Sequence, residues 1–248
     1  YLNLTNQDSA CSSLPLNYSY GLSVFLTHIF VGGKFFVTNK SVLQKDFWLN
    51  INDYKITSFN GVPFQYEIIQ KLQIDLNIPH LRYLTQAGGK LHNSIILKIN
   101  SQCKKFKKDF FIMYGQTECS PRISYLPSDK IEDKIGSVGK VIDKGKIEIS
   151  KNFNGEGEII YSGPNVFLGY SKNKFDLSKN LNELGSWNTG DIGFLDDEGY
   201  LYITGRSKRF IKIEGKRFNL NFIESDIFKA FNLNTYLFLK EEKLMIVL

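Results

Sequence analysis

Between Gly21 and about Met113, runs of apolar residues with strand spacing alternate with runs of helical spacing, over residues 34–37, 62–72, 81–85, 95–106 and 110–113. That alternation predicts beta-alpha units on a mostly parallel sheet. From Gly136 to Gly205 the texture changes to short apolar stretches cut by glycine, at residues 146–149, 158–161, 192–195 and 200–204. Turn signals at Asn154-Gly155 and Asp197-Glu198-Gly199 make this a meander or a small barrel. After Arg206 a charged segment leads to a strand-like 210–213, a helix-like 222–231 and a hairpin-like 236–248.

The expected fold class is α/β. A mostly parallel sheet subdomain over residues 1–135 is followed by a β-rich, barrel-like subdomain over 136–206 and the start of a small α+β C-terminal domain over 207–248. The boundaries fall near Ile135 and Ser207.

Composition narrows the class. With 248 residues, 42% of them hydrophobic, a disordered tail, a collagen-like repeat and a small stapled scaffold are excluded. A chain of this length buries roughly 70 to 75% of the surface its unfolded form exposes, so its core needs no disulfides. Lysine and arginine number 31 against 25 acidic residues, but only five of the basic residues are arginine. A lysine-heavy surplus spread along the chain lacks the guanidinium forks that read phosphates, so nucleic acid is not an expected partner. The densest run, Lys104, Lys105, Lys107 and Lys108, reads as a helix end.

Cys11, Cys103 and Cys119 are too widely spaced for a metal site or a disulfide framework, and free thiols suit a reducing, cytoplasmic setting. The longest apolar run, around residues 22–31, contains His28 and is too short to span a bilayer. No secretory signal is evident. The chain opens at Tyr1 without a methionine and stops at Leu248 inside an apolar run, and the expectation is a piece of a longer protein.

Candidate chemistry sits on glycine-marked loops at strand ends, where open α/β sheets bind ligands. Gln86-Ala87-Gly88-Gly89-Lys90 follows the strand at 81–85; its bare backbone suits a flat ligand, or is only a turn. Met113-Tyr114-Gly115-Gln116-Thr117-Glu118 closes the next strand and offers an aromatic face, a glycine for close approach, a hydroxyl and a carboxylate. A purine on Tyr114, a phosphate oxygen on Thr117 and a magnesium ion on Glu118 would use every member; a strand-end turn capped by Thr117 is the plainer alternative. Asp191, in Trp187-Asn188-Thr189-Gly190-Asp191, suits the hydroxyls of a ribose or caps a turn. Asp191 and Arg206 bracket one hairpin, so its outer ends could face a common ligand. The cationic stretch 205–218 reads as a charged linker and an edge strand, since Phe210 and Phe218 are too far apart to stack nucleotide bases in a row.

Taken in order, these elements resemble the adenylate-forming superfamily of acyl-CoA synthetases, peptide-synthetase adenylation domains and beetle luciferases. The resemblance runs from residues 14–22 through 86–91, 114–118, Gly136-Ser137-Val138-Gly139-Lys140, Gly157-Glu158-Ile159 with Gly163-Pro164, and Leu168-Gly169-Tyr170 to Thr189-Gly190-Asp191 and 205–224. It implies that a carboxylate attacks the α-phosphate of ATP with Mg2+, pyrophosphate leaves, and the acyl group passes to the thiol of CoA or of a carrier-protein phosphopantetheine.

By the same resemblance, Ala87, Gly88 and Gly89 line the adenine, Tyr114 stacks on it, Gly115 belongs to the nucleotide site, and Thr117 holds the α-phosphate. Glu118 binds magnesium, and Asp191 and Arg206 hold the ribose. Lys208 is the hinge of the C-terminal lid, Gly215 lies by the thiol tunnel, and Tyr18 walls the acyl pocket where many members have histidine. No aspartate stands near Tyr18 to hold an amino group, so a simple carboxylic acid is the implied substrate. The family's phosphate loop would belong upstream of Leu14, and its C-terminal lysine beyond Leu248. Without both, a non-catalytic nucleotide-binding module of the same ancestry is the alternative.

Overall fold

The computed structural model describes residues 1–247 other than 151–154, 179–184, 214–215, 232, 234 and 241–242. The first stretch runs β1 (Ser9–Cys11), α1 (Ser19–Phe30), β2 (Lys34–Phe36), α2 (Lys45–Asp53), β3 (Ser58–Gly61), α3 (Pro63–Lys71), β4 (Tyr83–Gln86), α4 (Asn93–Lys105), β5 (Asp109–Tyr114), β6 (Ser124–Leu126) and β7 (Lys140–Val141). The five strands β3 to β7 form one sheet in sequence order, with β3, β4 and β5 parallel and β6 and β7 antiparallel.

Strand alternation sorts this sheet's side chains onto two apolar faces. Leu84, Phe110 and Ile112 pack with Phe47, Ile51, Phe59, Tyr66 and Ile96 on one side. Tyr83, Phe111 and Met113 pack with Leu14, Tyr20 and Val24 on the other. Burial on both faces explains the near-continuous apolar run of β5.

Two expectations change. The strand at 34–37 lies outside the main sheet, pairing in parallel with β1. In its place β3 carries Ser58 and Asn60, polar yet buried, because Asn60 donates to Ser58 Oγ at 3.2 Å and accepts from Thr85 Oγ1 at 2.7 Å. The lysine run divides as well. Lys104 and Lys105 end α4, where cations suit the helix dipole. Lys108 is buried instead, its Nζ donating to the carbonyls of Ile78 and Leu81 at 2.6 and 2.7 Å.

The second sheet is antiparallel throughout: β8 (Lys146–Ile149), β9 (Gly157–Ser162), β10 (Ser186–Leu195) and β11 (Leu201–Arg206) lie in that order. The turn at 197–199 joins β10 to β11, whereas Asn154 lies outside the described residues. Val138 N donates to Leu201 O and Leu201 N to Gly139 O, both at 2.9 Å, which ties this sheet to the first. A third apolar cluster, Tyr114, Cys119, Ile123, Ile159, Tyr161, Val166 and Leu201, fills the junction. Beyond Arg206 come β12 (Phe210–Ile213) and β13 (Lys216–Asn219), α5 (Leu220–Phe231), then β14 (Tyr236–Lys240) and β15 (Lys243–Val247), the strands forming two hairpins. No helix among the described residues is long and apolar enough to cross a membrane.

Candidate functional site

β4 and β5 are parallel neighbours, so the loops after Gln86 and Tyr114 emerge at the same carboxyl end of the sheet. There β5 meets the antiparallel sheet at Asp191. Gly190 has φ +71°, a left-handed conformation suited to glycine, and β10 breaks register with β9 between Asn188 and Ile192. The break delivers Asp191 inward, with a side chain only 5% exposed.

Three donors clasp that carboxylate. Tyr114 Oη and Gln116 Nε2 donate to Oδ2 at 2.6 and 2.8 Å. Arg206 Nε donates to Oδ1 at 2.9 Å from the paired position on β11. Burial first, and then the negative charge of Asp191, push the Tyr114 phenol far above its ordinary value, so it stays a donor. Gln116 is the hub: its Nε2 also donates to Thr189 O at 2.9 Å, and its Oε1 accepts from Trp187 Nε1 at 2.9 Å. Gln116 and Trp187 lie inside the sequence motifs, but no spacing signal couples residues that far apart.

The turn after β5 is tight because Gly115 lies against the backbone of Pro121; a Cβ there would stand 1.7 Å from the Pro121 carbonyl oxygen. The close approach made by this glycine is therefore to the protein's own chain. Thr117 Oγ1 lies 2.9 Å from Ser19 Oγ on α1. Glu118 Oε1 accepts from Tyr170 Oη at 2.5 Å, and that hydrogen bond raises the Tyr170 phenol pKa. The Tyr170, Phe167 and Trp187 rings meet edge to face beside it.

Ala87 is buried, with its N–H donating to Gly61 O at 3.2 Å. Gly88 has φ +82°, and a Cβ on it would stand 2.5 Å from Tyr18 Oη. Gln86 Nε2 closes the loop onto Gly89 O at 2.9 Å. The structure thus gathers Tyr114, Gln116, Asp191 and Arg206 in one cluster. It joins Thr117 to Ser19, Glu118 to Tyr170 and Gly88 to Tyr18 as satellite pairs. Lys208 lies in the short helical turn Ser207–Arg209 that follows Arg206, and Gly215 lies outside the described residues.

Among the described residues no group of three or more His, Cys, Asp or Glu side chains could cage a metal. A magnesium ion does not need one, since it is usually held by one or two carboxylates together with substrate phosphates and water. Half-buried Glu118, with one oxygen on Tyr170 and the other without a hydrogen-bond partner among the described residues, fits that donor set.

The family whose model matches residues 1–171 is that of the AMP-binding enzymes, and the chain belongs to it. Its curated relatives include a 2-succinylbenzoate–CoA ligase of Listeria innocua, 30% identical over 210 residues, which cover 85% of this chain and 43% of the relative. The 2-succinylbenzoate–CoA ligase of Oceanobacillus iheyensis is 31% identical over 228 residues, covering 90% and 46%. An oxalate–CoA ligase of Arabidopsis thaliana is 30% identical over 235 residues, covering 86% and 43%. This chain spans somewhat under half the length of these relatives.

Among solved structures, the o-succinylbenzoate CoA synthetase of Bacillus subtilis bound to its acyl-adenylate intermediate superposes with a TM-score of 0.81 at 25% identity, covering 98% of this chain and 50% of that one. The same enzyme with ATP and magnesium gives 0.79 at 25% identity, covering 97% and 51%.

Proposed function

We propose that this chain carries the nucleotide-binding part of an enzyme that activates a small carboxylic acid with ATP and passes the acyl group to the thiol of CoA. In the first step a carboxylate oxygen bonds to the α-phosphorus and the bond to the β-phosphate bridging oxygen breaks, so pyrophosphate leaves with the electron pair. In the second a thiolate attacks the acyl carbon and AMP leaves. CoA is favoured over a carrier-protein pantetheine because the relatives are named as CoA ligases. The three free cysteines support a reducing, cytoplasmic setting.

The observation that carries the reading is the clasped Asp191. A carboxylate offers about four acceptor positions, and three donors already use it, so one position remains for a ribose hydroxyl. A second hydroxyl needs a donor to yield, and Arg206, its side chain 66% exposed, is the one free to swing outward. Tyr114 and Gln116 then hold the carboxylate in place while the ribose binds. Ala87, Gly88 and Gly89 line the adenine beside Tyr114, the Thr117 hydroxyl meets the α-phosphate, and Tyr18 walls the acid pocket. Glu118 would hold the magnesium ion, which neutralises phosphate charge when bound. The proposed division is 1–135, 136–206 and 207–248, with Lys208 as hinge; the second sheet ends at Arg206 and the chain turns at once.

The test is pyrophosphate release from ATP by the full reading frame that carries this chain, across a panel of carboxylic acids, with hydroxylamine present to trap the acyl-adenylate. Release with one acid class supports adenylation and identifies the class. Silence across the panel with AMP still bound assigns the non-catalytic module instead.

A further inference from the structure

Arg122 stands outside the nucleotide cluster. The loop that carries it is fixed on both sides: its N–H donates to Cys119 O at 3.0 Å, and its carbonyl accepts from Asn165 Nδ2 at 2.7 Å. The side chain crosses to α1, where Nη2 donates to Ser23 Oγ at 3.2 Å and the guanidinium carbon lies 5.0 Å from the Tyr20 ring centroid. Nη1 is buried and has no hydrogen-bond partner among the described residues. Among the described residues no carboxylate lies within ion-pair distance of it. A buried N–H of a charged group without an acceptor is costly, and an aromatic face offsets only part of that cost.

The position of this charge is set by α1. Ser19 touches Thr117 and Ser23 touches Arg122, and the two serines are four residues apart on the helix, with Cβ atoms about 5–6 Å apart. Tyr18, at the start of the same helix, feels the guanidinium too: burial pushes its phenol up, and the Arg122 charge opposes that.

We propose that Arg122 is a specificity-determining residue that pairs with a second anionic group on the acid. The substrate is then a dicarboxylic acid whose remote carboxylate lies about one helical turn from the one activated at Thr117. This rests on reading Thr117 as the group beside the α-phosphate, and it narrows the expectation of a simple carboxylic acid.

The test compares three probes by calorimetry on the protein: AMP, hexanoyl-sulfamoyl-adenosine and adipoyl-sulfamoyl-adenosine. The two acyl probes have equal carbon chains and differ in a terminal methyl against a terminal carboxylate. The adipoyl probe is expected to bind at least ~10-fold more tightly, as one charge-assisted hydrogen bond provides. Arg122→Gln brings the ratio close to unity, and Arg122→Lys, which keeps the charge, retains part of it. Equal affinity of the two acyl probes in the parent protein, or an unchanged ratio in the glutamine variant, overturns the inference while AMP binding stands. Failure of AMP and both acyl probes to bind overturns the nucleotide reading itself, and the inference with it.

Discussion

Asp191 and Arg206 are register partners on adjacent strands and meet at 2.9 Å, yet the aspartate side chain is 5% exposed and the arginine 66%. The pair is thus a buried acceptor with one solvent-facing donor. Asp191→Ala is expected to weaken AMP binding about 10 to 100-fold, from the loss of one or two charged hydrogen bonds. Arg206→Ala is expected to cost less, because an exposed ion pair contributes little. Titration calorimetry checks both, and unchanged AMP affinity in the aspartate variant would remove the ribose role.

Glu118 and Tyr170 share a 2.5 Å hydrogen bond. Glu118→Gln keeps the shape but removes the charge, and is expected to lower magnesium-dependent pyrophosphate release on the order of 100-fold. Tyr170→Phe frees the second carboxylate oxygen and is expected to shift the magnesium requirement by a few-fold only. A magnesium titration of pyrophosphate release separates the two, and equal behaviour of both variants would argue against Glu118 as the ligand.

Gly115→Ala places a methyl 1.7 Å from the Pro121 carbonyl oxygen. Backbone on both sides leaves no rotamer to relieve the clash, so a destabilisation of about 3 kcal/mol is expected, at the upper end for overpacking. Thermal melts test this; a melting temperature within a degree of the parent would mean that the loop yields freely.

Alkaline pH is expected to unfold the protein early. Burial pushes the Cys11, Cys103 and Cys119 thiols up to about 12 from 9.0, and the Tyr83 phenol up to about 12 from 10.0. Each folded value lies above its unfolded one, so this stability is fully present below about pH 9 and is lost as pH rises toward 12. Melting temperatures under reducing conditions should fall steeply across that window. A flat profile to pH 11 would show that these groups ionise in the folded state.

The order of elements was legible in the chain because periodicity and turn chemistry are local. The helical run at 95–106, the strand at 110–113, the short strands after Gly136 and the turn at 197–199 all follow from spacing alone. The motif residues of the candidate site could likewise be quoted from the sequence, because each motif is a contiguous loop. What the chain could not disclose is which of those side chains meet. The Tyr114 and Asp191 contact spans 77 residues, and that between Gln116 and Trp187 spans 71. Both depend on one sheet docking against the end of another, and on a register break at Gly190 that turns a carboxylate inward. Buried Asn60 and Lys108 look like surface residues in sequence, and Arg122 looks like any surface charge. Their partners, or the lack of one, exist only once distant backbone is packed around them, because a hydrogen bond or an uncompensated charge belongs to a place in the fold and not to a residue type.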